Sequence, residues 1–178
     1  MKLLIVSLVL FLVLLTTVFA TDNLTVSSIE SLSFKDKVIF SPDMAFLWNF
    51  QRGVEELYRF VKFTPLLRIE YSLELSERRI GEMEVLTTKN ESNIIPMIEN
   101  EYELEIDKVQ SNLNSTDIFS KFIGPVNLDI KENVTQRLDY DNKVLDIISK
   151  NSTEPAKTSL ASAIKKTSSC IDFINKMG

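Results

Sequence analysis

Twenty-five acidic side chains and no histidine set the range of chemistry open to this chain of 178 residues. Without an imidazole, neither a Ser-His-Asp nor a Cys-His nucleophilic arrangement can be assembled. Zinc sites built on several cysteines and histidines fall with it, because Cys170 is the only thiol. A pair of carboxylates, as used in glycoside hydrolysis, stays formally open. The densest acidic run is Glu99, Glu101, Glu103, Glu105 and Asp107. It lies between apolar core positions, the pattern of a solvated helix flank. Glu101/Glu105 or Asp139/Asp141 could attract Ca²⁺ weakly, but neither pair has the loop and glycine of a dedicated calcium site. The four glycines (Gly53, Gly81, Gly124 and Gly178) are too scattered for a phosphate-binding loop or a dinucleotide fingerprint. The expectation is a protein that is not an enzyme, with no catalytic residue, no cofactor and no metal.

Two further residue types could carry modification or cross-linking. Cys170 stands three residues from Thr167 and Phe173 and four from Ile174, a place that suits a small buried thiol. An intermolecular disulfide is the alternative outside the cytoplasm. Asn23, Asn90, Asn114, Asn133 and Asn151 each open an Asn-x-Ser/Thr sequon, the acceptor pattern for glycosylation. The formal charge is −5, and no Lys/Arg cluster interleaved with aromatics occurs, so nucleic-acid binding lacks its electrostatic footprint.

The elements that must position these groups begin after an apolar leader. Met1-Lys2 is a short basic start, Leu3 to Leu15 is wholly apolar, and Ala20 follows Val18 by two. That is the form of a secretory signal peptide over 1–20, cleaved after Ala20. An uncleaved anchor is the alternative, since 3–20 just reaches the ~18 residues that can span a bilayer. Either reading puts the remainder outside the cytoplasm, with membrane contact only if the leader is retained. Residues 21–40 read as a tether and 41–178 as one helical domain.

Ser41-Pro42-Asp43 predicts a helix start, with Leu47, Phe50, Val54, Leu57 and Val61 following as one stripe beside Trp48 and Tyr58. Thr64 as N-cap and Pro65 at the first position open a second helix, whose Leu66, Ile69, Leu73, Ile80 and Met83 recur at three, four and seven residues. A break at Lys89-Asn90-Glu91-Ser92 leads to a third helix carrying Ile95, Ile98, Tyr102, Ile106, Val109 and Leu113. Two facing stripes predict a long antiparallel hairpin of coiled-coil character over 64–113, the centre of the domain. Asn114-Ser115-Thr116-Asp117 reads as a loop, followed by a short helix stopped at Gly124-Pro125. A helix from about Leu128 to Ser149, with Ile130, Val134, Leu138, Leu145 and Ile148 inward, and a last helix with Leu160, Ile164, Ile171 and Ile174 complete the chain. No period-two strand occurs. The fold class is all-α, a long helical hairpin packed with further helices in a bundle.

Within the second helix, Leu75, Arg79, Glu82 and Leu86 recur at four, three and four residues. Apolar residues at both ends of this second stripe lead to the expectation that Arg79 lies under a neighbouring helix, bonded to Glu82 and a second acceptor such as Glu55; an exposed ion pair at three residues' spacing is the alternative. The same region carries a family resemblance. Leu75, Ser76, Glu77-Arg78, Arg79, Ile80, Gly81 and Glu82 follow the form leucine, alanine, two polar residues, arginine, leucine, any residue, glutamate. Without gaps, Phe63, Pro65 and Glu55 fall on that pattern's phenylalanine, proline and glutamate, Gln51-Arg52 on its basic pair and Trp48 on its aromatic. In these residues the chain resembles the domain of unknown function 5667, found in exported or membrane-anchored prokaryotic proteins. Ser76 and Gly81 depart from its small helix-favouring residues. The resemblance implies an exported helical domain and brings no activity.

The function expected is a non-enzymatic extracytoplasmic module that binds a protein or cell-envelope partner through a helical face. A periplasmic-type hairpin chaperone or stress adaptor is the alternative. Proteins of that kind carry a Leu-Thr-x-x-Gln signature, which Leu86-Thr87-Thr88-Lys89-Asn90 fails at its last position.

Overall fold

The computed structural model describes residues 32–123 and 128–177. The leader over 1–20, most of the tether with Asn23, and Gly124-Pro125 lie outside these residues, as do the side chains of 116–123 and 128. Among the described residues the chain forms five α-helices and one 3₁₀ turn, Lys35–Lys37, with no strand. The helices are α1 (Ala45–Val61), α2 (Pro65–Thr88), α3 (Ile95–Ile123), α4 (Leu128–Lys150) and α5 (Ala156–Lys176). None of them is long and apolar enough to cross a membrane.

α2 starts where the sequence predicts. The Thr64 side chain accepts a hydrogen bond from the Leu67 amide at 3.2 Å and Pro65 occupies the first turn. Its end is closed by Asn90 at φ 60°, the left-handed conformation asparagine tolerates. There the Glu91 amide bonds the Leu86 carbonyl at 2.9 Å and the Asn90 amide bonds that of Thr87 at 3.1 Å, a Schellman motif. α3 then returns antiparallel along α2. α4 and α5 form a second hairpin, and α2 packs on α4 while α3 packs on α5. The two hairpin turns lie side by side, Thr87 Oγ1 3.4 Å from Ser152 Oγ and Ser92 Oγ 3.4 Å from Thr153 Oγ1.

The core between these four helices is the one the periodicity outlines. Ile69, Leu73, Ile80 and Met83 of α2, the α3 residues Ile95, Ile98, Tyr102, Ile106, Val109 and Leu113, and Val134, Leu138, Leu145, Ile148, Leu160 and Ile174 are all buried. Ile130, Ile164 and Ile171 are half-buried against this core, and Leu66 is exposed. Cys170 is a free, buried thiol, and burial pushes its pKa up to about 11.

Three expectations are corrected. The loop at Asn114-Ser115-Thr116-Asp117 is absent, because α3 runs on to Ile123. No proline or glycine occurs in α3 after Pro96 in its first turn, and Asn112 Nδ2 and Ser115 Oγ bond the carbonyls of Lys108 and Ser111 one turn back rather than capping a new helix. The hairpin therefore outruns its predicted boundary at 113. α1 begins at Ala45 rather than at Ser41-Pro42-Asp43. The Ser41 hydroxyl and the Asp43 carboxylate both accept from Lys89 Nζ, at 3.3 and 2.7 Å, so the expected capping groups fasten this turn to the end of α2. The acidic run of α3 is no uniform solvated flank, since Glu99 and Glu105 are buried.

Part of the expected tether is ordered. Phe34 packs edge-on against Tyr140 of α4, and Glu84 of α2 accepts from the Phe34 amide at 3.1 Å and from Ser33 Oγ at 2.9 Å. Gly81 makes this approach feasible. A Cβ there would lie 2.3 Å from the Phe34 carbonyl oxygen. Gly81→Ala should therefore destabilise the chain by about 1–3 kcal/mol through overpacking, despite alanine's better helix propensity. Urea melts of the two proteins test this, and an unchanged or raised midpoint would show that the segment over Gly81 is not held.

Candidate functional site

α1 joins the bundle by an unusual contact. Its buried positions are Trp48, Gln51 and Glu55, spaced three and four apart, and only the first is apolar. The facing flank of α2 supplies Tyr71, Arg78, Arg79 and Glu82. Arg79 is fully buried and makes a fork: Nη1 donates to Glu82 Oε1 at 2.5 Å and Nη2 donates to Glu55 Oε2. Glu55 also accepts from Gln51 Nε2 at 2.7 Å, Arg78 Nη1 at 2.8 Å and Arg52 Nη1 at 3.1 Å. Tyr71 donates its hydroxyl to the Glu55 backbone carbonyl at 3.0 Å. The structure thus brings Glu55, Arg79 and Glu82 into one cluster.

Further along α1, Arg59 bonds Glu105 of α3 at 2.7 Å and Ser72 of α2 at 3.3 Å. Arg52 pairs with Glu101 of α3. These partners explain why the acidic run is partly covered: its Glu101 and Glu105 receive the arginines of α1. The guanidinium groups of Arg52 and Arg59 also lie 5.2 and 5.7 Å from the ring centres of Trp48 and Tyr71, within cation–π range. α1 is therefore laid on the α2/α3 hairpin through an ionic and aromatic layer rather than through interdigitated aliphatic side chains.

The opposite side of α1 is apolar and exposed. Phe46, Leu47, Phe50, Leu57, Phe60 and Val61 are exposed, as is Phe63 just beyond the helix. The predicted stripe Leu47, Phe50, Val54, Leu57 and Val61 exists as a stripe, but it does not enter the core. Val54 is half-buried and the others are exposed. Periodicity marks which side of a helix is apolar and not which side is covered. The signal that was present lay in charge: Gln51, Arg52, Glu55 and Arg59 on one helix complement Arg78, Arg79, Glu82 and Glu105 on its neighbours.

Arg79 and Glu82, at the centre of the ionic layer, have no exposed surface. No group of three or more acidic or thiol residues is placed to hold a metal among the described residues. A cleft of about 390 Å³ lies beside α1, lined by Glu56, Arg59, Phe60, Arg68 and Lys108, together with Ser111 and Asn112. Its cations are already engaged with Glu105, Glu56 and the Lys62 carbonyl. Of the sequon asparagines, Asn90 and Asn151 sit exposed on the paired hairpin turns, Asn133 is exposed on α4, and Asn114 is exposed within α3 rather than in a loop.

Buried carboxyls make the fold sensitive to pH. Burial raises Glu82 to about 8, with the Glu55 charge adding to it and the Trp48 indole N–H and Arg52 opposing. Burial likewise raises Glu99 to about 7, helped by its bond with Glu103. Asp141, fully buried against Ser76, is raised well above the usual range by burial and by Glu77. Each of these groups binds its proton more tightly folded than unfolded, so stability is greatest below the ordinary carboxylate pKa and falls as pH rises through 7 to 8. Asp43, lowered by its bond with Lys89, acts in the other direction only under stronger acid. The urea midpoint should rise as pH is lowered from about 8 to about 5. Glu82→Gln, neutral throughout, should flatten that profile, and a midpoint that falls over this range would refute the assignment.

Fold and contacts together define an all-α protein, a four-helix core of two packed hairpins with an amphipathic helix attached by an ionic layer. The family described as Domain of unknown function (DUF5667) matches residues 40–155, and the chain belongs to it. The match covers α1 to α4, including the whole ionic layer, and ends at Pro155, so α5 lies beyond it. No curated protein and no solved structure matches the chain.

Proposed function

We propose that this protein is a non-enzymatic, extracytoplasmic helical module that works by presenting the outward face of α1 to a protein or cell-envelope partner. One observation carries the reading. Phe46 and Phe60 of α1 and Phe63 just beyond it are 79–81 % exposed, and large exposed apolar patches mark interaction sites. The basic start, apolar run and Ala20 of the leader support its place outside the cytoplasm. The test is capture from envelope extract, with the native chain and Phe60→Asp as baits at equal loading. A partner retained by the native chain and lost with Phe60→Asp supports the reading, whereas equal retention by both removes α1 from it. The exposed phenylalanines also favour a second reading, a hairpin chaperone that shields unfolded clients. Suppression of client aggregation by the native chain and not by Phe60→Asp would favour that one.

A further inference from the structure

The outward face of α1 is built as a mirror of itself. Its apolar and glycine positions are 46, 47, 50 and 53 in the first half and 54, 57, 60 and 61 in the second. Reflection about the midpoint between Gly53 and Val54 exchanges Phe46 with Val61, Leu47 with Phe60, and Phe50 with Leu57. Every position finds an apolar or glycine counterpart. An isologous contact about a two-fold axis requires this kind of self-complementary surface, because residue i must meet residue j while j meets i. Any regular three/four stripe meets this condition, the buried one of α3 from Ile95 to Val109 included, so the choice of occupant rests on Gly53 and on area.

Gly53 gives the second observation. It sits at the centre of α1 on the exposed side, and nothing lies within 4 Å of the place a Cβ would occupy. Glycine in a helix interior costs about 1 kcal/mol relative to alanine, and among the described residues no neighbour demands its small size. An antiparallel helix crossing at the midpoint does demand it, since the two backbones approach there most closely.

Area is the third. Phe46 is 81 % exposed, Phe60 80 %, Leu57 64 % and Phe50 50 %. With Leu47, Val61 and Phe63, the exposed apolar surface is on the order of 1,000 Å² per copy, at roughly 200 Å² for each complete aromatic side chain. That exceeds the largest patch of a typical monomer, about 300–600 Å². Covering most of it on two copies reaches the roughly 1,200–2,000 Å² of a stable protein interface.

From these observations we infer that the occupant of the α1 face is a second copy of this chain, with the two α1 helices packed antiparallel about a two-fold axis beside Gly53. The inference rests on the reading of α1 as the binding face and names the partner. Antiparallel packing also sets the positive end of each helix dipole beside the negative end of the other.

The experiment uses the chain as purified from the producing cells, in sedimentation equilibrium without detergent. The native chain should be a dimer at micromolar concentration. Phe60→Asp and Phe46→Asp, at exposed positions that leave the helical circular dichroism unchanged, should each weaken it at least about 100-fold. Single cysteines read the geometry, with the native chain and its buried Cys170 as control. Gly53→Cys, beside the axis, should oxidise to a covalent dimer. Phe60→Cys should not, because antiparallel packing separates the two copies of that residue by roughly 20 Å at 1.5 Å per residue.

Cross-linking at both positions would overturn the antiparallel arrangement. A native chain that stays monomeric, or that floats with phosphatidylcholine vesicles as a monomer and loses this with Phe60→Asp, would overturn the dimer. In that case the envelope-capture result decides separately whether the α1 face still binds a different partner.

Discussion

Replacing Arg79 with alanine should lower the stability of the chain by about 3–5 kcal/mol. The side chain is fully buried and bridges Glu82 of α2 to Glu55 of α1. Its removal leaves the buried Glu82 carboxyl without its guanidinium, while Glu55 keeps Arg52 and Arg78. Arg79→Lys should recover little, because an ammonium group lacks the planar fork that reaches two acceptors at once. Glu82→Gln should cost less than Arg79→Ala, since an amide oxygen still accepts from Nη1. Urea unfolding of the three variants against the native chain is the measurement. Equal midpoints for all four proteins would mean that α1 is held by something other than this layer.

Ile106→Ala should cost about 2–5 kcal/mol. Ile106 lies mid-way along α3 with no exposed surface, within the aliphatic core between the two hairpins. Leu104, two residues earlier, is 52 % exposed, and Leu104→Ala should fall within about 0.5 kcal/mol. The pair removes comparable apolar bulk from one helix on two sides. Equal losses in denaturant melts would place the core on the wrong face of α3.

Much of this architecture can be read from residue order, for identifiable reasons. Thr64-Pro65 announces α2 because a hydroxyl acceptor and a missing N–H suit the first turn of a helix and little else. The α3 stripe from Ile95 to Leu113 is legible because six apolar residues keep a three/four rhythm without a break. The Arg79 cluster shows through the flanking Leu75 and Leu86, which signal cover over the charges between them. Asn114 to Asp117 misleads because the same polar side chains that cap helices can also bond the preceding turn from within one, and local composition does not choose between these uses. The orientation of α1 is illegible to periodicity alone. Its apolar stripe resembles those of α2 and α3, and only matching the charges of separate helices reveals that its polar side is the covered one. The segment over Gly81 is hidden for another reason: the glycine's small size matters only once Phe34 is known to lie across it.

The ionic attachment of α1 has a consequence for how its phenylalanines meet a partner. Aliphatic side chains packed into shallow grooves leave a helix some freedom to roll about its axis or slip along it. The Arg79 fork, the four side-chain donors on Glu55 and the Arg59–Glu105 pair are directional, and a small roll or slip would break several of them together. α1 is thus locked in azimuth and register before anything docks on its outer side. Its aromatic rings stand on a pre-set bearing, so association loses less orientational freedom than it would with a loosely seated helix.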